Sequence, residues 1–325
     1  EISACLVGSE MCIRDRFTMM NEARIGVSLG AVAHASAGYH HALAYARDRR
    51  QGRHPDQKSP DGPQVAIIEH ADVRRMLLEQ KAAAEGGITL GLMLSELADL
   101  KAAAEAQSER EDAGLLLELL TPVFKAWISE EMLAASSAAM QVLGGAGYTR
   151  DHPLEQHYRD NRLNPIHEGT NGIQAIDLVG RKLGLAGGRA LDLLLDRIDR
   201  AVTQARGIER LAKAAALLAA ARQSLADTAR AILAIGRDRG PRIMLANARH
   251  MMDLVGEVVF AWVWIEQAVA ASRVLPRDAA ARDFYLGKIH TCRYVAEHRL
   301  PRLATLASVV LDSRSYTDLD PAWLD

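Results

Sequence analysis

Proline is missing from three long stretches of this 325-residue chain, Glu1–His54, Gln64–Thr121 and Ile166–Gly240. A proline inside a helix removes a backbone hydrogen bond and clashes with the preceding turn, so such stretches permit long helices. Hydrophobic residues make up 49% of the chain and aromatic residues only 5%. Alanine and leucine dominate, and both lose little on entering a helix. No strand pattern of useful length occurs, and we predict an all-α protein.

Apolar residues at three- and four-residue spacing divide the first half of the chain into helices. We predict an antiparallel four-helix bundle, because short loops join neighbouring helices. The predicted helices are Phe17–Arg50, about His70–Ala106, Ala113–Leu143 (despite Pro122), and one from Thr170 to Gly187–Gly188. We expect a polar turn at Gln107–Asp112 and an irregular segment at Gly144–Gly169. The glycines at 86 and 87 indicate close packing or a bend within the second helix.

A second helical unit is predicted after Gly187–Gly188. One of its faces carries apolar residues at helical spacing, including Met251, Leu254, Val255, Val258, Val259 and Trp262. We therefore assign residues 17–187 to the bundle and residues 188–325 to a second helical domain. Residues 1–16 show neither the order of a signal peptide nor a helical stripe. Their last six letters, MCIRDR, resemble a translated sequencing adapter, so we expect an artefactual or disordered segment there.

The bulk properties give no sign of a nucleic-acid or membrane partner. The formal net charge is −2 at pH 7, and no apolar run of 18 residues is free of charge. Three cysteines, Cys5, Cys12 and Cys292, fit neither a disulfide framework nor a metal site. A reducing compartment is therefore the default, and we predict a cytoplasmic protein without a bound metal.

Glu168 lies two residues before Thr170, where the next helix is predicted to begin. An acidic residue is favourable beside a helix N-terminus, and this alone could explain it. Alternatively, a carboxylate on an irregular segment facing an apolar cleft would have a raised pKa and would act as a base. His167 has two similar interpretations, a packed and hydrogen-bonded residue or a ligand. Its spacing from His152 and His157 is not that of a metal site.

Glycines and arginines near the predicted helix ends are open to two interpretations. Gly144, Gly145 and Gly147 follow a helix rather than a strand, which excludes the nucleotide-binding loop of a parallel sheet. They either stop the helix or let the backbone approach a flat ligand. Four arginines within Arg47–Arg53 either solvate a helix C-terminus or bind a pyrophosphate.

Four short motifs together resemble the signature of the acyl-CoA dehydrogenase family. They are QVLGGAGY at Gln141–Tyr148, YRD at Tyr158–Asp160, HEGT at His167–Thr170 and IQ at Ile173–Gln174. The resemblance extends back over Met20–Arg53 and His70–Leu78. The tail, including Phe284–Leu303, looks like the extra C-terminal helical domain of the subgroup that includes 3-methylmercaptopropionyl-CoA dehydrogenase-like enzymes.

The resemblance implies an FAD-dependent α,β-dehydrogenation of an acyl-CoA thioester. Glu168 would take the α-proton, and the flavin N5 would take a hydride from the β-carbon. Such an oxidoreductase commonly passes its electrons to an electron-transferring flavoprotein. The implied FAD-binding residues, some of which reach the cofactor of a neighbouring subunit, are Arg49, Gln141, Gly144, Gly145, Thr170 and Gly172. Sharing of this kind implies a homodimer or homotetramer.

This chain also departs from the family pattern. His167 replaces the usual tyrosine before the glutamate, and Gly52 replaces a phenylalanine. The N-terminal helical and middle β domains of the family are not in this stretch, so we expect the stretch alone to bind FAD poorly and not to turn over. An alternative is a non-catalytic helical binding or assembly module, similar to DNA-repair-associated family members. The net charge and the presence of Glu168 favour the enzyme.

Overall fold

The computed structural model describes residues 10–54, 56, 61–276, 278–312 and 317–325, with backbone only for residues 10–19 and 280. Within these ranges the chain is helical and contains no β-strand. Arg50 and Ala66 form an isolated antiparallel bridge. The prediction of an all-α fold is confirmed.

Twelve α-helices are present in the described ranges. They are α1 Glu10–Asp48, α2 Ala71–Ala103, α3 Gln107–Val123, α4 Ser129–Leu143, α5 Leu154–Asn161, α6 Asn171–Asp177, α7 Arg189–Arg206, α8 Ala212–Arg239, α9 Pro241–Leu245, α10 Ala248–Arg273, α11 Ala279–Arg299 and α12 Leu303–Leu311. Two π-helical turns, Phe124–Ile128 and Leu178–Lys182, follow α3 and α6 directly. The 3-10 helices are Ile67–Glu69, Gly144–Tyr148, Leu185–Gly188, Glu209–Leu211, Leu300–Arg302 and Pro321–Leu324.

The ends of the first helices differ from the prediction. Helix α1 begins at Glu10 rather than Phe17, so residues 10–16 are helical, while residues 1–9 lie outside the described residues. The polar turn predicted at Gln107–Asp112 is wrong, because these residues open α3 and the break lies at 104–106. Gln107 donates to Glu111 one turn later at 2.8 Å, and such i,i+4 pairs stabilise a solvated helical face.

Helix α3, the π-helical turn and α4 form one helical path from Gln107 to Leu143. Pro122 lies in the last turn of α3, where it can donate no backbone hydrogen bond. The wider π-helical turn begins two residues later, at Phe124. All five of its residues, including Lys125, are buried. The predicted irregular segment that follows α4 in fact contains a 3-10 helix and α5.

Helix α10 is the central helix of the hydrophobic core. It is long and apolar enough to cross a membrane, but 78% of its most apolar window is buried inside the protein. It contacts α2, α7, α8, α11 and α12. The same core cluster contains residues of α1–α4, α6–α8 and α10–α12. The boundary at Gly187–Gly188 therefore stays a prediction, since both units contribute to one core.

Two glycines let α10 approach its neighbours closely. A Cβ built on Gly86 of α2 would lie 2.3 Å from the ring of Phe260, and one on Gly256 would lie 2.2 Å from the indole of Trp127. The indole of Trp264 donates to the carbonyl of Ala82 at 3.2 Å. The α2 glycine predicted to permit close packing thus does so. Trp127 in the π-helical turn is held against α10 in the same way.

Arg299, at the end of α11, links both units of the chain. Its guanidinium donates to both carboxylate oxygens of Glu257 in α10, at 2.7 and 2.8 Å. It also donates to Glu131 in α4 at 2.7 Å. The rings of Trp127 and Phe260 lie 5.2 and 5.1 Å from its central carbon, close enough for cation–π attraction. Removing this side chain would leave two carboxylates without their shared cation.

We therefore expect Arg299→Ala to lower the free energy of unfolding by about 3 kcal/mol, because breaking a largely buried ion pair leaves uncompensated charge. Urea denaturation followed by far-UV circular dichroism measures the loss. Arg273→Ala is the control, since Arg273 is exposed and its side chain donates to Gln204 at 2.9 Å. It should cost less than about 0.5 kcal/mol. Equal losses in the two variants would contradict the role of Arg299.

Two histidine pairs join α1 to the segment around α5. His34 Nδ1 lies 3.2 Å from His157 Nδ1, and His41 Nε2 lies 3.1 Å from His152 Nδ1. Burial, and then the neighbouring His152, lower the pKa of His41 below its usual 6.5. Burial and His34 likewise lower the pKa of His157, against the opposing effect of Asp160. In each pair a second proton would place two like charges together.

A histidine whose pKa is lower in the folded state stabilises the fold above the unfolded value, and that stabilisation is lost as the pH falls through the folded value. We therefore expect the free energy of unfolding to fall between pH 7 and pH 5, with α5 loosening from α1. The double variant His41→Gln/His157→Gln should flatten this dependence, measured by urea unfolding at each pH. His40→Gln, at an exposed site, should leave the slope unchanged. An unaltered slope in the double variant would refute the assignment.

Candidate functional site

The predicted base lies on the irregular loop between α5 and α6. Glu168 has φ of 55° and the next residue, Gly169, has φ of 88°. Two consecutive left-handed residues are unusual, and the conformation costs about 1–3 kcal/mol at a residue with a side chain. Such a turn persists only where surrounding contacts hold it.

Two buried side chains, those of Lys125 and Gln174, supply those contacts. Lys125 Nζ donates to the carbonyl of Gly169 at 2.6 Å and to Asn171 Oδ1 at 3.1 Å. Gln174 Nε2 donates to the carbonyl of Glu168 at 3.3 Å. A Cβ on Gly169 would lie 2.7 Å from that amide nitrogen, so the close approach requires glycine. The backbone of the Glu168–Gly169 turn is therefore fixed by hydrogen bonds from the protein interior.

Asn171, at the start of α6, ties the loop to the π-helical turn. Its side-chain amide donates to the carbonyl of Ala126 at 3.0 Å, to Ser129 Oγ at 3.1 Å and to Glu130 Oε1 at 2.9 Å. Its backbone N–H donates to the carbonyl of Pro165 at 3.1 Å. The residue is buried, so these bonds are shielded from competing water.

The other end of the loop is anchored separately. The buried Asn161 amide donates to Ser136 Oγ at 3.0 Å and accepts from Asn164 at 2.8 Å. His167 Nδ1 donates to the carbonyl of Leu163 at 2.9 Å. His167 is thus engaged in a local hydrogen bond, as the simpler interpretation of the sequence expects. No group of three or more potential metal ligands occurs within the described ranges.

The side chain of Glu168 itself is exposed. Thr170, which caps α6, makes no capping hydrogen bond through its side chain. Favourable interaction with the helix terminus still applies to Glu168, since the charge needs no direct bond. The apolar surroundings that would make it a stronger base are not supplied by the described part of this chain.

A cleft of about 430 Å³ opens between α1, α3, α6 and the second π-helical turn, and Gln174 lines it. This is the size of a small-ligand pocket. Arg24 Nε and Gln174 Oε1 border it and have no hydrogen-bond partner within the described ranges, although both atoms are buried. Its lining residues are Asn21, Arg24, Glu118, Ile173, Gln174, Asp177, Arg181 and Lys182.

Arg49, Gln141, Gly144 and Gly145 form a second group of predicted site residues, here called the distal group. All are exposed. Gly144 ends α4 with φ of 59°, and open space surrounds it and Gly145. These glycines therefore end α4 and also leave an accessible backbone, so both interpretations of the glycine motif are compatible with the structure.

Arg49 follows the last residue of α1, and the ends of α1 and α4 pack together in a small apolar cluster. Of its neighbours, Arg50 donates to the carbonyl of Gln64 at 3.1 Å and Arg53 to that of Gly62 at 2.7 Å. Those two arginines close the loop after α1, whereas Arg49 extends into solvent. Only part of the predicted arginine cluster is therefore available to a phosphate.

The two groups lie at opposite ends of α4. Glu168, Thr170 and Gly172 are tied to the start of α4, whereas the distal group surrounds its end. Fifteen residues of α-helix separate them, a distance of roughly 20 Å. The structure therefore does not bring all predicted site residues together within one chain.

Sequence reasoning missed Lys125, which is fully buried beneath the Glu168–Gly169 turn. One signal was present in the sequence. A single lysine stands within the apolar stretch TPVFKAWI, three residues after a proline that removes a helical hydrogen bond. A cation is rarely buried there without a polar partner.

Comparison with known proteins identifies the family. Residues 16–184 match the family described as "Acyl-CoA dehydrogenase, C-terminal domain", and residues 194–320 match "Acetyl-CoA dehydrogenase C-terminal like". The chain belongs to the acyl-CoA dehydrogenase family. The second match supports the predicted subgroup with an additional C-terminal helical domain.

Two curated relatives extend over most of the chain. It is 35% identical over 316 residues to 3-methylmercaptopropionyl-CoA dehydrogenase of Ruegeria pomeroyi, covering 95% of this chain and 52% of that protein. It is 34% identical over 310 residues to a broad-specificity linear acyl-CoA dehydrogenase of Mycobacterium tuberculosis, covering 92% of this chain and 50% of that protein. The chain thus spans about half the length of the relatives it matches.

Solved structures show the same fold. Caenorhabditis elegans ACDH-11 in complex with C11-CoA aligns with a TM-score of 0.69 and 19% identity, covering 91% of this chain and 48% of that one. The FAD complex of an acyl-CoA dehydrogenase from Bacillus anthracis aligns with a TM-score of 0.66 and 18% identity, covering 91% and 49%. At these identities the likeness concerns the fold alone.

Proposed function

We propose that the complete protein containing this chain is an FAD-dependent acyl-CoA dehydrogenase in which Glu168 is the base. The observation that carries this proposal is the fixed left-handed turn at Glu168 and Gly169. Buried groups hold its backbone, while the carboxylate itself stays exposed. Gln174, which binds the carbonyl of Glu168, also lines a cleft of ligand size. A carboxylate whose only task is to favour a helix end requires no such support.

The residues predicted to contact FAD are compatible with a flat, charged cofactor. Among the described residues, chain neighbours and the local helix backbone apart, no heavy atom lies within 4 Å of where a Cβ on Gly144, Gly145 or Gly172 would be, so a ring or phosphate can approach the backbone. Arg49 offers an exposed guanidinium suited to phosphate oxygens. When bound, the flavin accepts the hydride from the β-carbon of the substrate.

The contribution of this chain is to hold the base and to remove the α-proton. An α-proton is weakly acidic, so the base must be held against the carbon and shielded from water. Because Glu168 is exposed here, we infer that the substrate, the cofactor and other parts of the assembled protein exclude water from it. The expectation that this chain alone binds FAD weakly and does not turn over belongs to the same proposal.

The separation of the two site groups favours an oligomer. If Glu168 and Thr170 approach one flavin, the distal group of the same chain is roughly 20 Å away along α4. A second subunit can then bring its own Arg49 and Gln141 to that flavin. We propose a homodimer or homotetramer, located in the cytoplasm, with electron-transferring flavoprotein as the electron acceptor.

The substrate is proposed to be an acyl-CoA thioester. The relatives at 35% and 34% identity are named for 3-methylmercaptopropionyl-CoA and for linear acyl-CoA substrates. The structural neighbour ACDH-11 was solved with C11-CoA. Thioester recognition is the feature that these three names share, so it is the part carried over to this protein.

Glu168→Gln tests the proposal in the longest natural polypeptide that contains this chain. Glutamine keeps the size of the side chain but cannot accept the proton, so kcat should fall by about 10²–10⁴-fold. The flavin absorbance of the purified variant should stay unchanged. Acyl-CoA-dependent reduction of a dye measures the rate, and the exposed Glu105→Gln serves as control with unchanged turnover.

Full turnover by Glu168→Gln would show that another group is the base. A wild-type protein that binds neither FAD nor acyl-CoA would instead support the non-catalytic binding or assembly module.

A further inference from the structure

Lys125 is a buried cation that the roles assigned so far do not use. The π-helical turn after Pro122 carries it inward, and its side chain is 0% exposed. Its ammonium donates to a carbonyl and to an amide oxygen rather than to a carboxylate. An interior position of this kind is unfavourable for a charge without a direct counter-ion.

The pKa of Lys125 is lowered because its charged form is unfavourable in this position. Burial, and then the nearby Arg24, lower the pKa of Lys125 to about 8, against the opposing effects of Glu130 and Glu168. The folded state thus disfavours the charged form relative to the unfolded chain. A buried polar network can often be replaced as a whole by well-packed apolar side chains without loss of stability. Stability alone therefore does not explain why a lysine stands here.

The contacts of Lys125 point to the loop instead. Its Nζ donates at 2.6 Å to the carbonyl of Gly169, the residue directly after the proposed base. It also donates to Asn171 Oδ1 at 3.1 Å, and Asn171 starts α6. A hydrogen bond from an ammonium is stronger than one between neutral groups. Lys125 thus fixes both the left-handed turn and the residue that ends the loop.

We propose that Lys125 is a positioning residue for Glu168. It holds the Glu168–Gly169 turn in one conformation and supplies a positive charge near the carboxylate. This inference rests on the proposed function, in which Glu168 takes the α-proton. A displacement of the base by about 1 Å is enough to slow such a step about 100-fold. The burial of the ammonium destabilises the fold, and on this proposal the lysine is kept because it positions the base.

The assignment predicts how the rate depends on pH. Above about pH 8 the ammonium loses its proton, so its bond to the carbonyl of Gly169 loses the assistance of charge. Turnover should therefore decline on the alkaline side near pH 8, while the fold stays intact. A lysine that serves only packing would produce no such decline.

Lys125→Met tests this in the longest natural polypeptide that contains the chain. We expect bound FAD, a moderately lower Tm because the carbonyl of Gly169 and Asn171 Oδ1 lose their buried donor, and a kcat reduced about 10- to 100-fold. KM should change less than about threefold, because the residue acts through the base rather than on the substrate. The alkaline decline should disappear. The deuterium isotope effect with α-deuterated acyl-CoA should rise, since proton abstraction becomes slower.

Lys288→Met is the matched control, because Lys288 is also largely buried but lies on α11. It pairs with Glu85 at 2.8 Å and with Gln267 at 3.1 Å. Its replacement should lower Tm and leave the pH profile and the isotope effect unchanged. Lys125→Arg keeps a charge at every accessible pH, so its alkaline decline should move above pH 10.

The outcomes separate this assignment from the proposed function. Loss of turnover in Glu168→Gln together with wild-type kcat, pH profile and isotope effect in Lys125→Met would overturn the role of Lys125 alone. Full turnover in Glu168→Gln would overturn the proposed function and this role with it. If neither variant of Lys125 folds, the wild-type protein alone provides the test. A kcat and an α-deuterium isotope effect that stay constant from pH 6 to pH 10 would overturn the role of Lys125.

Discussion

The packing of Trp127 against α10 is the contact on which the site depends. Gly256 leaves space for the indole, and Arg299 covers it while binding Glu257 and Glu131. Trp127 belongs to the π-helical turn that also carries Lys125 inward. The C-terminal helices therefore hold in place the segment that supports the loop between α5 and α6. Helices that are far from the proposed base in sequence thus support the turn that carries it.

The described helices provide a rigid support and an exposed reactive group. The loop is bonded at both ends, by Asn161 and by Asn171, so its backbone is fixed. Its carboxylate and the distal group nevertheless lie open to solvent at opposite ends of α4. The exposed carboxylate of Glu168 and the exposed distal group are therefore accessible to a cofactor, a substrate or a neighbouring subunit.

Much of the fold follows from sequence patterns, whereas the location of the site stays a prediction. Proline-free stretches with helical periodicity predicted the all-α fold, and four spaced motifs predicted the family. Helix ends were predicted less well, because the polar residues of Gln107–Asp112 bond to one another along α3 instead of forming a turn. The role of Lys125 depends on a π-helical turn and on a partner 44 residues away, and neither leaves a periodic pattern in the sequence.

The most direct measurement is a crystal structure of the complete protein with FAD and an unreactive acyl-CoA analogue. We expect the Glu168 carboxylate within about 3.5 Å of the α-carbon, the distance at which groups are poised to react, and shielded from solvent. The turn at Gly169 should still be held by Lys125. A carboxylate directed into bulk water, away from both flavin and thioester, would contradict the proposed role of Glu168 as the base.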